Sequence, residues 1–443
     1  MILRQSKMPV MIILIWIFSL SLPAQDNQSA KMVSCFDRKL SSGQDSSVVL
    51  TEEQLIAMAL MNSYKLQSMQ TNIDIAEYRY RSSGRLDNPE LRYRDISLSE
   101  REKKYKDQQI GLRFSIPKPG ELREERQDSK VRLWDKKVDK ERYQQKLAAR
   151  IRRDVADIIM YDQLLDLAAK RVAIEDRRIE IVEKMVEIGQ RSVVYFTKAK
   201  MWHAESKNDY ARAKQYRIQA RSKLSKHTGV DPDVAIMWPE IPEISCDLAD
   251  LITIALQNRP EIERLNQRIE LAGYQNRLER LKVLPWFNYI EMNYHFEREQ
   301  RVDWLELMMG ISIPLLDWNR GNRQATDLAI RKKELEYNAL RETIGDEVSM
   351  AYEIYQNLLL DWKNFQRDAQ ELISEATTVV TQAHAHNTLL PDEVLEMELT
   401  IVDTQKLLAQ KRRNLTHAFI DLQYSVGTEE FKLPANPETD GLP

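Results

Sequence analysis

From Trp304 to Leu316 the chain alternates: Leu305, Leu307, Met309, Ile311 and Ile313 fall on one face, while Glu306, Gly310 and Ser312 fall on the other. Period two marks a strand wet on one side. About ten residues of this kind is also the length a tilted strand needs to cross a bilayer, although the same pattern suits a hairpin on a soluble core. A partner strand precedes it, Trp286 to Glu297, across a polar turn. The period then changes. From Glu121 to Ile188 there is neither proline nor glycine, and from Asn322 to His386 the only one is Gly345. Apolar positions recur every seven residues, as Ile151, Ile158, Leu165, Val172, Ile179 and Val186 in the first stretch. In the second they form two seams: Ile344, Ala351, Leu358, Phe365, Leu372 and Val379, and Val348, Tyr355, Trp362, Ala369, Ala376 and Ala383. Heptads sustained this long predict coiled-coil packing.

The pattern occurs twice. With Leu251 set under Leu55, an offset of 196, Ile56/Ile252, Ala59/Ala255, Leu60/Leu256, Asn62/Asn258, Ile73/Ile269, Tyr78/Tyr274 and Pro89/Pro285 coincide without a gap. Ser115-Ile116-Pro117 matches Ser312-Ile313-Pro314 at 197, and Leu224 and Gly229 match Leu422 and Gly427 at 198. Such self-similarity is the signature of a duplicated structural unit. The first repeat is expected over 50–231, with short helices, a β-hairpin at 90–117, a long helix at 120–188 and a return helix at 193–228. The second is expected over 247–428, with a hairpin at 285–315, a long helix at 320–386 and a return helix at 391–427. Residues 232–246 read as a linker and 429–443 as a C-terminal tail. Gly189 and Asn387 match at an offset of 198, both types that accept the left-handed helix end, and Pro391 suits the first turn of the next helix. A helix over 120–188 spans roughly 100 Å, and the return helix plus the helix before the strands nearly matches it. Each repeat therefore draws a tall column with a hairpin at one end and a tight turn at the other.

Composition narrows the function. Charged residues make up 30% but the net charge is only −3, so no basic footprint for nucleic acid exists. The 12 glycines leave no phosphate-cradling loop, and no zinc cluster or nucleophile elbow is present. No enzymatic activity, cofactor or bound metal is expected. Arg4 and Lys7 precede an apolar run from Met8 to Leu22, followed by Pro23-Ala24-Gln25. That is the layout of a signal peptide over 1–24, with residues 25–49 a polar, flexible lead-in. Cys35 and Cys246 could pair in an oxidising compartment, which the sequence alone does not decide.

If the hairpins enter a membrane, four strands per chain are too few to close a barrel, and open sheet edges are not tolerated in lipid. Closure needs several chains; three give twelve strands, an even number within the range of outer-membrane barrels. At this point the duplicated unit resembles the TolC-type outer-membrane factor family. The resemblance lies in Leu50-Thr-Glu-Glu-Gln-Leu-Ile-Ala-Met-Ala-Leu60, Asn88-Pro89-Glu-Leu91, Ile313-Pro-Leu-Leu-Asp-Trp-Asn-Arg-Gly321 and the closing Val426-Gly427. It covers roughly residues 50–428. It implies a mainly α fold with a small β part: duplicated long-helix hairpins forming a periplasmic α-helical barrel, and four strands per chain completing a twelve-stranded transmembrane β-barrel in a homotrimer. It implies an exit duct in outer-membrane lipid that extends into the periplasm, docked by a periplasmic adaptor (membrane fusion) protein and driven by an inner-membrane efflux transporter. The turns carrying Gly189, Gln190 and Arg191, and Asn387, Thr388, Leu389, Leu390 and Pro391, match the family's periplasmic tips, where the adaptor docks. Asn387 stands where the family often has glycine. The alternatives are a soluble periplasmic coiled-coil scaffold and the outer-membrane duct of a type I protein secretion system.

Asp392 and Glu393 could form an acidic ring at the tip, or simply favour a helix N-terminus. His384 and His386 tempt as a metal site, but residues two apart on a helix face different ways. Arg92, Arg94 and Arg113 would line the lumen, with the facing of the first strand open because its alternation slips between Tyr93 and Ile96. Trp286, Tyr289, Tyr294 and Trp304 suit interfacial girdles.

Overall fold

The computed structural model describes residues 49–100, 103–231, 235–237, 244, 246–297, 302–386 and 390–428. The expected signal peptide, the lead-in up to residue 48 with Cys35, most of the linker, the C-terminal tail, and Asn387, Thr388 and Leu389 lie outside the described residues. Each repeat opens with two short helices. In the first, Thr51 caps α1 (Glu52–Asn62) through a reciprocal box: Gln54 N–H donates to Thr51 Oγ1 (3.4 Å) and Thr51 N–H donates to Gln54 Oε1 (3.1 Å). This satisfies two of the orphan donors at a helix start. Ser63 ends α1 and caps α2 (Tyr64–Ser82). In the second repeat α5 (Leu248–Asn258) gives way to α6 (Pro260–Leu281), whose first residue is a proline that lacks the N–H a first turn leaves unpaired. Between the repeats, β1 (Val49–Leu50) pairs in parallel with β4 (Ala235–Ile236).

The strands β2 (Glu90–Glu100), β3 (Lys103–Ser115), β5 (Trp286–Glu297) and β6 (Val302–Ser312) form one antiparallel sheet in the order β2-β3-β5-β6. The hairpins of the two repeats thus meet at β3 and β5, and β2 and β6 are its edges. One face is apolar and exposed: Leu91, Ile110, Phe114, Met292, Leu307 and Ile311 all stand on it. The other is polar and closely packed, with Glu291, Asn293 and His295 buried. Pairing of β2 with β3 runs unbroken from Glu90 to Glu100, so the slip expected near Ile96 is absent; the irregularity lies in β5, between Phe287 and Tyr289. An extra residue there re-aims the side chains beyond it. Tyr289 consequently lies over Gly310 and under the Arg113 guanidinium, 3.8 Å from the ring centre. Trp304 stacks on His295 at 4.4 Å. Tyr289 and Trp304 are therefore on the polar face, which corrects the girdle expectation for both. Tyr294, against Phe296, is on the apolar face.

Two helices of 67 residues, α3 (Glu121–Glu187) and α7 (Arg320–His386), descend from the sheet, and two of 36 residues, α4 (Val193–Thr228) and α8 (Pro391–Val426), return. At about 1.5 Å per residue each long helix reaches about 100 Å. The helices pack as one layer: α3 touches α2, α4, α6 and α8, while α7 touches α5, α6 and α8. Leu147, Ile151 and Ile158 build the core of the first repeat with α1 and α4. Ile344, Val348 and Tyr355 build the second with α5 and α8, and Cys246 packs against that cluster. The fold is thus mainly α with a small antiparallel sheet, as expected, and among the described residues no helix is long and apolar enough to cross a membrane. The heptads come out unevenly. Val348, Tyr355, Ala369 and Ala383 are buried, but Leu372 and Val379 of the other seam are exposed, because among the described residues nothing packs on that side of α7.

Candidate functional site

The far end of the helical layer holds a group of buried charges, Glu175, Arg178 and Asp392. The turn from α3 to α4 is built around Gly189 at φ +75°, with open space around it. Gly189 N–H donates to Val186 C=O (3.0 Å) and Gln190 N–H to Met185 C=O (2.8 Å). This pair of bonds is the Schellman arrangement, which needs a left-handed residue just past the helix end. Ser192 then caps α4, its hydroxyl accepting from Tyr195 N–H at 3.3 Å.

Behind this turn sits Asp392, in the first turn of α8 and only 4% exposed. Tyr195 O–H donates to its Oδ2 at 2.5 Å and the Arg191 guanidinium donates to the same oxygen at 3.2 Å. Arg178 Nε lies 3.7 Å from the other oxygen, with the buried Glu175 carboxylate 3.4 Å from its Nη1. Arg178 rests on the Trp202 ring, which also receives the edge of Tyr195. One carboxylate thus ties together the last turns of α3, the first turn of α4 and the first turn of α8. Charge-assisted bonds of this kind are short and strong where water is excluded. Burial, with the hydrogen bond to Asp392 adding to it, pushes the Tyr195 hydroxyl up to about 12, so it remains a donor at physiological pH. Burial likewise raises the Glu175 carboxyl above its ordinary value, against the opposing pull of Arg178 and Arg171.

The predicted tip residues therefore divide. Gly189, Gln190 and Arg191 form one turn and Leu390 and Pro391 open α8 beside it, whereas Asn387, Thr388 and Leu389 lie outside the described residues. Of the two acids expected in a ring, Glu393 accepts from Leu390 N–H at 3.3 Å, an exposed contact. Asp392 is buried instead, with its Oδ2 accepting from Tyr195 and Arg191 and its Oδ1 facing Arg178 at 3.7 Å without a hydrogen bond. Sequence reasoning missed Arg178, Glu175, Tyr195 and Trp202. The available signal was charge at an otherwise apolar register, since Arg178 follows the buried Ile174 and precedes the buried Val182 at four-residue steps. His384 and His386 fall in the last turn of α7, their side chains outside the described residues. Among the described residues no three metal-ligating side chains converge.

The fold, a four-stranded sheet with one apolar face standing on paired long helices, is shared with solved outer-membrane proteins. The chain shares it with a membrane protein of Pseudomonas aeruginosa (TM-score 0.72, 14% identity, 89% of this chain and 94% of that one). It also matches the outer membrane protein VceC of Vibrio cholerae (0.68, 16%, 85% and 96%). A third match is the open state of the Neisseria gonorrhoeae MtrE outer membrane channel (0.68, 14%, 88% and 94%). No protein-family model and no curated protein matches the chain.

Proposed function

We propose that the chain is one subunit of a trimeric exit duct in the outer membrane, conducting passively from the periplasm to the exterior as part of a tripartite efflux system. The observation that carries this reading is the sheet. Its apolar face suits lipid, its polar face suits a water-filled lumen, and its two edges, β2 and β6, carry backbone groups that lipid would leave unpaired. Three chains supply twelve strands, and their helices continue the lumen as a periplasmic tunnel. The tip turns are where a periplasmic adaptor docks and an inner-membrane transporter feeds cargo. Asp392, holding α8 to the α3–α4 turn, is the clasp that keeps the entrance narrow. The chain catalyses nothing in this scheme; its work is to present a low-barrier path. The cargo is set by the transporter, and a protein-secretion duct would share this architecture.

The test is single-channel conductance of the purified mature chain in a planar bilayer, together with its mass in detergent. A three-chain species giving small, steady currents is expected. A protein that stays in the aqueous phase without detergent and never inserts would refute the duct and favour the scaffold.

A further inference from the structure

Part-way down the helical layer, α4 and α8 flank α3, and a groove of about 460 Å³ lies between them. Sites for small molecules are commonly about 300–1,000 Å³. Its floor is the α3 surface formed by Met160, Leu164 and Leu167, with Ala213 of α4 and Val402 of α8 on its sides. The Tyr161 and Tyr216 rings, 5.6 Å apart between centres and tilted by 31°, add aromatic surface. Val155 packs with α1 in the core of the first repeat. Leu164 lies nine residues further on, which at 3.6 residues per turn is the opposite side of α3. α1 and its counterpart α5 therefore cover one face of the layer, and the groove opens on the other.

The repeat shows that helix pairing does not require this floor. At an offset of 197 the buried Leu147, Ile151 and Ile158 fall on the buried Ile344, Val348 and Tyr355. Under the same offset Met160, Leu164 and Leu167 fall on Asn357, Asp361 and Asn364, all exposed. The apolar floor thus belongs to α3 and not to α7. The charges around it are unequal as well. Arg171, Arg212, Lys406 and Arg413 line the groove against Asp209 and Asp403. Arg171 and Arg413 are taken up by Asp403 and Asp157, each at 2.6 Å. Arg212 reaches Asp209 only at 4.0 Å, and among the described residues no carboxylate pairs with Lys406.

We propose that this groove binds a small organic anion with an apolar body, an aromatic sulfonate or carboxylate. The body lies against Met160, Leu164 and Leu167, and the head meets Arg212 from one wall and Lys406 from the other. It would exchange a long contact and an unpaired ammonium for charge-assisted hydrogen bonds, over a floor that favours apolar surface. The binding chemistry stands within one chain; its place on the conduction path rests on the duct reading. Helices inside a closed ring would block it, so α1 and α5 stand outside and the groove faces the lumen. The transporter selects the cargo, and the groove holds back one chemical class of it inside the duct.

The experiment titrates naphthalenesulfonate into the full-length chain in a non-ionic detergent and reads the heat, with naphthylmethylammonium as the cation of similar body. One saturable site per chain is expected for the sulfonate and none for the cation. Arg212→Gln combined with Lys406→Gln should weaken the sulfonate roughly tenfold or more. Leu164→Asp, the residue type its α7 counterpart already carries, should weaken it comparably with the helical circular dichroism retained. No saturable binding of the sulfonate, equal binding of the cation, or binding untouched by both variants would overturn the site. In a planar bilayer the sulfonate should lower the current saturably in the native chain and not in the Arg212→Gln, Lys406→Gln variant. Binding without any effect on the current would overturn the lumenal placement. The two readings fail separately. A chain that binds the sulfonate but neither assembles nor inserts would overturn the duct and leave the site standing, whereas a conducting three-chain species that does not bind it would overturn the site alone.

Discussion

The two long helices have the same length and the same ancestry in the repeat, yet they live in different surroundings. α3 lies in the middle of the helical layer and is gripped from both sides; α7 lies at its edge and is gripped from one. Their sequences have diverged accordingly. The middle helix uses arginines and carboxylates to pin its neighbours, as in Arg171–Asp403 and Arg413–Asp157, both at 2.6 Å. The edge helix keeps large aliphatic residues on a face that the single chain leaves bare, such as Leu328, Leu335 and Leu372. The lesson is that a heptad specifies a face, and the number of neighbours decides whether that face is filled.

The largest effect should come from breaking the edge side of this contrast. Leu335→Glu combined with Leu372→Glu puts two charges into each seam between copies, removing about 2 kcal/mol of apolar burial per site and adding the cost of burying an unpaired carboxylate. Loss of the three-chain species in detergent is expected, with the helical circular dichroism of the chain retained. On the middle helix, Val138→Glu at the counterpart of Leu335 should instead unfold the chain itself, seen as loss of that same helical signal. A smaller effect belongs to the tip. Asp392→Ala leaves Tyr195 and Arg191 without their acceptor and Arg178 with Glu175 alone, a loss of about 1–3 kcal/mol for the unsatisfied buried donor. Faster hydrogen exchange in the first turns of α8 and a raised single-channel conductance are expected, with the assembly intact.

How much of the molecule was legible in its sequence depended on how local the cause was. The long helices, the turns at Gly189 and Pro391 and the alternation of β6 are written in neighbouring residues, and the repeat doubled each of those signals. The tip clasp was not, because Asp392 lies 201 residues from Arg191 and 197 from Tyr195 along the chain; an acid at the start of a helix looks the same whether it faces water or an arginine. Trp304 shares the parity of Glu306, so the alternation of β6 already put it on the polar face; the face of Tyr289 was hidden for a different reason. One extra residue near Asn288 shifts the pairing of β5, and an alternation pattern cannot reveal which residue is the extra one.

The smallest effect sharpens the clasp alone. The Tyr195 hydroxyl is held at about 12, above its ordinary 10. The folded state therefore binds that proton more tightly than the unfolded one. Its contribution is intact below pH 10 and is lost as pH rises from about 10 through 12. Conductance should climb across that window in the native chain, and Tyr195→Phe should remove this component of the climb while other tyrosines and lysines titrate as before.

The path of the chain through the helical layer has a consequence for how it assembles. α3 and α4 are joined by a tight turn and can zip together as soon as both have been made, whereas α8 adds to α3 across a separation of 221 residues between Arg177 and Glu398. Contacts that close long loops form late. The first repeat can thus exist as a finished hairpin while the second is still being made, and the last strip of the column to be laid down is the one that carries Asp392. Asp392 therefore meets Tyr195 and Arg191 only after α8 has been made.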